Sequence, residues 1–136
     1  MTEQELIGII VLVHPQTCDD SHMRIGEIGT IIFADIRKDD FLVQFDDNSK
    51  AFYRANALII PKSADRIYDY AIKHEANISY NFRQVLADYA CHIEYYGAEA
   101  QKGALKLVLT NKDLKDFFTD SLEGILETKP IYNIGR

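Results

Sequence analysis

Phe41-Leu42-Val43-Gln44-Phe45-Asp46-Asp47-Asn48-Ser49-Lys50-Ala51-Phe52-Tyr53-Arg54 is the stretch whose reading decides how the first part of the chain folds. Phe41, Val43 and Phe45 recur at every second position, the period of a strand whose two faces meet different surroundings. Asp46-Asp47-Asn48-Ser49 is turn chemistry, because short polar side chains bond to nearby backbone and Asn tolerates positive φ. Ala51-Phe52-Tyr53-Arg54 then reads as the return strand of a hairpin. Outward from it, Ile28 to Ala34 is a β-branched run and Leu6 to Val13 another. Leu58-Ile59-Ile60 is a last short strand, closed by Pro61, which has no N–H to give to a ladder. Five short strands with no helix between them predict a small antiparallel barrel.

The period changes at Ser63. That serine reads as the N-cap of a helix to about Ala76, with Asp65 in its electropositive first turn. A second helix is expected from Tyr80 to Tyr96, ended by Gly97. Along it Phe82, Val85, Leu86, Tyr89, Ala90 and Ile93 form one apolar stripe at spacings of three and four. A weaker helical stretch covers Ala98 to Leu109. Thr110 and Asp113 have the spacing of a capping box, after which Leu114, Phe117, Phe118, Ile125 and Leu126 continue the helical period up to Pro130. The tail 131–136 fits either docking on a core or pairing as an edge strand.

The layout Arg24-Ile25-Gly26-Glu27-Ile28-Gly29-Thr30-Ile31-Ile32, then Val43-Gln44-Phe45-Asp46, then Phe52-Tyr53 resembles the small SH3-like barrels of bacteria, of KOW and CAP-Gly style, over residues 5–61. In such barrels a glycine-bearing turn enters a G-T-I/V strand, because sharp bends need positive φ or close backbone approach. The expected fold is therefore α+β: an N-terminal five-stranded SH3-like antiparallel barrel followed by three or four helices. The expected domains are 1–62, the barrel, and 63–136, a helical domain packed on it. The resemblance implies binding as a role and transfers no catalytic residue.

The 136 residues carry 15 Lys and Arg against 21 Asp and Glu, a formal net charge of -6. Split at Ser63, the balance is 6 basic and 10 acidic residues before it and 9 and 11 from it onward, so neither half is a basic arm. Such a chain has no global field for phosphate backbones or anionic lipid. The KOW comparison would imply RNA or ribosome association through basic loops, but Asp19, Asp20, Asp46 and Asp47 occupy the loops here. The start Met1-Thr2-Glu3-Gln4-Glu5 lacks the basic region of an export signal. The first apolar run is also far short of the roughly 20 residues that span a bilayer. Cys18 and Cys91 form no CxxC pair, so a cytoplasmic location with reduced thiols is expected.

Two sets of residues carry possible chemistry. His14, Cys18 and His22 fall in one loop with Asp19 and Asp20, the right donor types for zinc, and imply a metal-binding enzyme or sensor as the alternative function. No second paired-ligand motif completes the set, and no nucleophile elbow or helix-opening glycine loop accompanies it, so no cofactor is expected. The other set is aromatic. Phe52 and Tyr53 alternate faces, so one of them points outward beside Arg54, and an exposed aromatic next to an arginine suits recognition. Tyr95 and Tyr96 cannot both face inward from the second helix. Phe52, Tyr53, Arg54, Tyr95 and Tyr96 are thus the expected binding residues of a non-catalytic intracellular module, an inhibitor or adaptor. Its partner would be a protein, a peptide or a second copy, without nucleic acid or membrane.

Overall fold

The computed structural model describes residues 2–14 and 24–127. These form a mixed α+β structure with a six-stranded antiparallel sheet in the order β4-β3-β2-β1-β5-β6. The strands are β1 (Ile10–Val13), β2 (Ile28–Asp35), β3 (Asp40–Phe45), β4 (Lys50–Tyr53), β5 (Leu58–Pro61) and β6 (Thr119–Ser121). The helices are α1 (Glu3–Leu6), α2 (Ala64–Lys73), α3 (Tyr80–Tyr96), α4 (Ala98–Thr110), α5 (Lys115–Phe118) and α6 (Leu122–Glu127). The chain divides into two compact units: Pro61–Thr119 is one, and the described residues on either side of it make up the other.

In the sheet unit, the strands form where the sequence alternates. Phe41, Val43 and Phe45 are buried from β3, and Ala51 and Tyr53 from β4. The hairpin pairs Phe41 with Tyr53, Leu42 with Phe52, Val43 with Ala51 and Gln44 with Lys50. Its turn ends on Asn48 at φ 68°, the left-handed conformation that asparagine accepts. β2 joins β3 across a register shift between Ile31 and Phe33, a bulge that bends the strand and turns the residues after it over. Gly29 sits at a close approach of the two strands: a Cβ there would lie 2.5 Å from Val43 Cγ1 and 2.8 Å from the Gln44 carbonyl oxygen. Leu6, Val11, Val13, Ile31, Phe41, Val43, Leu58 and Leu122 are among the side chains that close this core.

Three departures from the sequence reading have local causes. The first apolar run does not start as a strand. Thr2 and Glu5 form a capping box, with Thr2 N–H donating to Glu5 Oε1 at 2.9 Å and Glu5 N–H to Thr2 Oγ1 at 3.3 Å. This winds Glu3–Leu6 into one helical turn before Gly8, at φ 94°, redirects the chain into β1. Second, among the described residues the strands number six, not five, and the sheet is open: β4 lies at one end of the order and β6 at the other. The expected count of five strands is thereby corrected. Third, the extra strand interrupts what reads as one helix. Thr119 is extended, its hydroxyl turns back to the Lys115 carbonyl, and Ser121 Oγ accepts from Gly124 N–H at 3.0 Å as a new N-cap.

The helical unit is built on α2, α3 and α4. Ser63 Oγ accepts from Arg66 N–H at 3.3 Å and Ser79 Oγ from Phe82 N–H at 3.1 Å, so each of the first two helices starts on a serine cap. Gly97, at φ 59°, ends α3 and leads directly into α4. Thr110 does not open a capping box: α4 runs through it, its hydroxyl donates to the Leu107 carbonyl at 2.9 Å, and Asn111 Oδ1 takes the Asp113 N–H at 3.2 Å. Ile67, Leu86, Ala90, Ile93, Ala104 and Phe118 are central to a second core. Buried Lys62 donates from Nζ to the Thr119 carbonyl at 2.8 Å and lies 5.0 Å from the Tyr70 ring centre.

Candidate functional site

The hairpin β3–β4 and the neighbouring strand β2 carry an exposed aromatic row. Strand alternation sends Tyr53 inward, where it is 6% exposed and meets the Phe45 ring edge-on at 6.4 Å. Phe52 therefore faces out, at 52% exposure. Its cross-strand partner is Leu42, and the next partner along the same row is Phe33 on β2. Phe33 is 47% exposed, and its ring meets that of Phe52 edge-to-face, 6.4 Å between centres at 84°. That geometry aligns the positive ring edge of one phenylalanine with the negative face of the other.

Charged groups frame this row. Lys50, at the start of β4, and Arg54, just past its end, lie two residues to either side of Phe52, both exposed, and neither makes an ion pair among the described residues. Asp39, at φ 56°, accepts the Ala55 N–H at 2.9 Å and ties the β2–β3 turn to the end of β4 beside Arg54. The far end of the hairpin is held by Arg24. Its guanidinium donates to Glu27 Oε1 at 2.9 Å, to Asp47 Oδ2 at 2.9 Å and to Ser49 Oγ at 2.6 Å, and lies 5.0 Å from the Phe45 ring centre. Ser49 donates both its hydroxyl and its N–H to Asp47 Oδ1, at 2.5 and 3.0 Å. The two Ser49 donors, then Arg24, hold the Asp47 carboxyl down to a pKa of about 2.

The helical unit has an aromatic surface of its own. Tyr95 and Tyr96, at the last turn of α3, are 83% and 60% exposed. Their ring centres are 5.5 Å apart, and Tyr96 stacks at 4.4 Å on His92 one turn earlier. Tyr89 turns inward instead: its ring packs 4.8 Å from Phe118, its hydroxyl donates to the Ala100 carbonyl at 3.2 Å, and burial raises its pKa. A shallow hollow of about 160 Å³ lies among Tyr68, Ala71, Ile72, Glu75, Arg83 and Ala87, with Arg83 Nη1 on Glu75 Oε1 at 2.7 Å. It is well below the several hundred Å³ of a typical small-molecule pocket.

The chain was compared with protein-family models, curated proteins and solved structures. It matches none. Residues of the chain itself therefore have to carry any functional reading. Of those the sequence singled out, Phe52 and Arg54 share the outer sheet face, and Tyr53 lies in the core beneath them. Tyr95 and Tyr96 belong to the other unit. His14 lies at the end of β1, its N–H donating to the Ala57 carbonyl at 2.7 Å, while Cys18 and His22 are outside the described residues. Cys91 is a free, exposed thiol. Among the described residues no three His, Cys, Asp or Glu side chains converge to hold a metal, and no helix is long and apolar enough to cross a membrane.

Phe33 is the member of the aromatic row that alternation alone misses. Counting by twos from buried Gly29 and Ile31 puts Phe33 inside. The bulge breaks that count and brings it out. The available signal was the uninterrupted pair Ile31-Ile32, two large apolar neighbours that one strand cannot both bury on the same face.

Proposed function

We propose that the protein is a non-catalytic module that binds a protein or peptide through the outer face of its sheet. The observation that carries this reading is the exposed edge-to-face pair Phe33–Phe52, set in register through Leu42 and followed by exposed Arg54. Large apolar rings left in water on a sheet face are costly unless something covers them, and aromatic and arginine side chains dominate the energetics of recognition surfaces. A curled SH3-like arrangement of β1 to β5 is part of the proposal. It is supported by the adjacency of those five strands, by the bulge in β2 and by the close approach at Gly29. Tyr95 and Tyr96 offer a second contact surface on the helical unit.

The test is affinity capture from native lysate with the full chain and with Phe33→Ser, Phe52→Ser and Arg54→Glu, each checked for folding by circular dichroism. These side chains are exposed, so the variants keep the fold. The expected result is a defined protein held by the wild type and reduced about tenfold or more by each variant, the loss typical of a recognition hot spot. Retention of the same proteins by all four chains would overturn the reading.

A further inference from the structure

How the same hairpin meets its partner can be taken one step further, an inference that rests on the reading above. Among the described residues β4 is the end strand of the sheet and is hydrogen-bonded along one side only. Phe45 N–H donates to the Ser49 carbonyl at 2.9 Å. From that pair, antiparallel alternation directs the main-chain groups of Ala51 and Tyr53 toward β3 and those of Lys50 and Phe52 toward the open edge. The side chains of Lys50, Phe52 and Arg54 all stand exposed on the outer face. Among the described residues the edge thus offers N–H and C=O groups with no strand partner, beneath an alternating series of cation, aromatic ring and cation. The acid nearest in the register on this face, Asp40, is on β3, one strand further from the edge.

We infer that β4 accepts an added strand from an acidic partner: an extended segment with a carboxylate, an apolar residue and a carboxylate at alternate positions. Strand addition gains its affinity from main-chain hydrogen bonds and its selectivity from the alternate side chains that come to lie opposite each other. Opposite charges directly across a ladder attract and like charges repel. An acidic residue against Lys50, an apolar one against Phe52 and an acidic one against Arg54 satisfy all three positions. The pattern reads the same in both directions, so it holds for parallel and antiparallel addition alike. A second copy of the chain does not satisfy it. Two-fold pairing centred on Phe52 would set Lys50 against the other copy's Arg54, and flanking cations on a short edge are a known guard against such self-pairing.

Random heptapeptides displayed on phage, selected against the full chain, test this. The expected consensus is acidic, apolar and acidic at alternate positions, and K50E/R54E should select basic, apolar and basic instead. A synthetic consensus peptide should lose about tenfold or more in affinity when the amides of one alternating set are N-methylated, and little when the other set is. Selection of a different pattern would overturn strand addition, as would equal tolerance of N-methylation at both sets. If such peptides still lose binding to Phe33→Ser and Phe52→Ser, the face reading survives without the edge. Failure to select any peptide also rejects strand addition, and the lysate capture then decides the face reading separately.

Discussion

Asp47 illustrates how a single side chain in this protein is set by its neighbours. It sits on an exposed hairpin, yet two donors from Ser49 and one from Arg24 converge on it. All of them favour the charged form, so the carboxyl titrates at about 2 instead of the ordinary 3.8. The sign of the linkage follows. A depressed folded-state value makes the contribution to stability fully present above 3.8 and removes it as pH falls toward 2. A carboxyl-carbon NMR titration should show Asp47 with its midpoint near 2 in the folded chain, and a midpoint at 3.8 or above would contradict the clamp. Asn in its place should remove this acid-range component without changing stability's pH dependence near neutrality. The bond of Asp47 to nearby turn backbone was legible in the sequence, and the Arg24 contact was not. Arg24 and Asp47 are far apart in the chain, and only the pairing of β2 with β3 brings them together.

At the scale of elements, the glycine-bearing entry to β2 was legible and the bulge that follows was not. Gly29 was expected at a bend needing positive φ or close approach, and it lies where a methyl group would strike both a side chain and a backbone oxygen of β3. The backbone oxygen cannot move cheaply. Gly29→Ala should therefore destabilise the sheet unit by about 1–3 kcal/mol, the range for overpacking a tight core, measured by urea denaturation. An unchanged midpoint would show that the strands can part there. The helices were read with comparable success where a serine cap or a terminal glycine punctuates them, as for α2 at Ser63 and α3 at Gly97. Reading failed at Thr2–Glu5, where a capping box was present but an apolar run beyond it drew attention to strand formation. It failed again past Thr110, where a helical period continues through residues that cap, extend and cap again.

Across the whole molecule, the helical unit is an insertion. Pro61–Thr119 leaves and re-enters the rest of the chain, and its two ends are joined by a hydrogen bond from Lys62 N–H to the Phe118 carbonyl at 2.8 Å. After it, α6 returns Leu122 to the core of the sheet unit, fully buried, with Ile125 and Leu126 packed beside it. Nothing in the sequence marks that return, because Leu122, Ile125 and Leu126 keep the period of the helical residues before them. Leu122→Ala should cost about 2–5 kcal/mol, as truncation of a buried leucine does. The loss should appear in amide exchange of β1, β2 and β3 while α3 keeps its protection. Equal loss of protection in α3 would show that the two cores do not melt separately.

The position of Leu122 also bears on synthesis. A ribosome delivers all six residues of α6 only after every residue of the helical unit has been made. The strands that emerge first must wait with an incomplete core, while the segment between them can close on itself earlier. Of the two units, the one begun first is thus the last to be finished, and any pause in translation past Thr119 prolongs the interval in which its apolar strands stand uncovered.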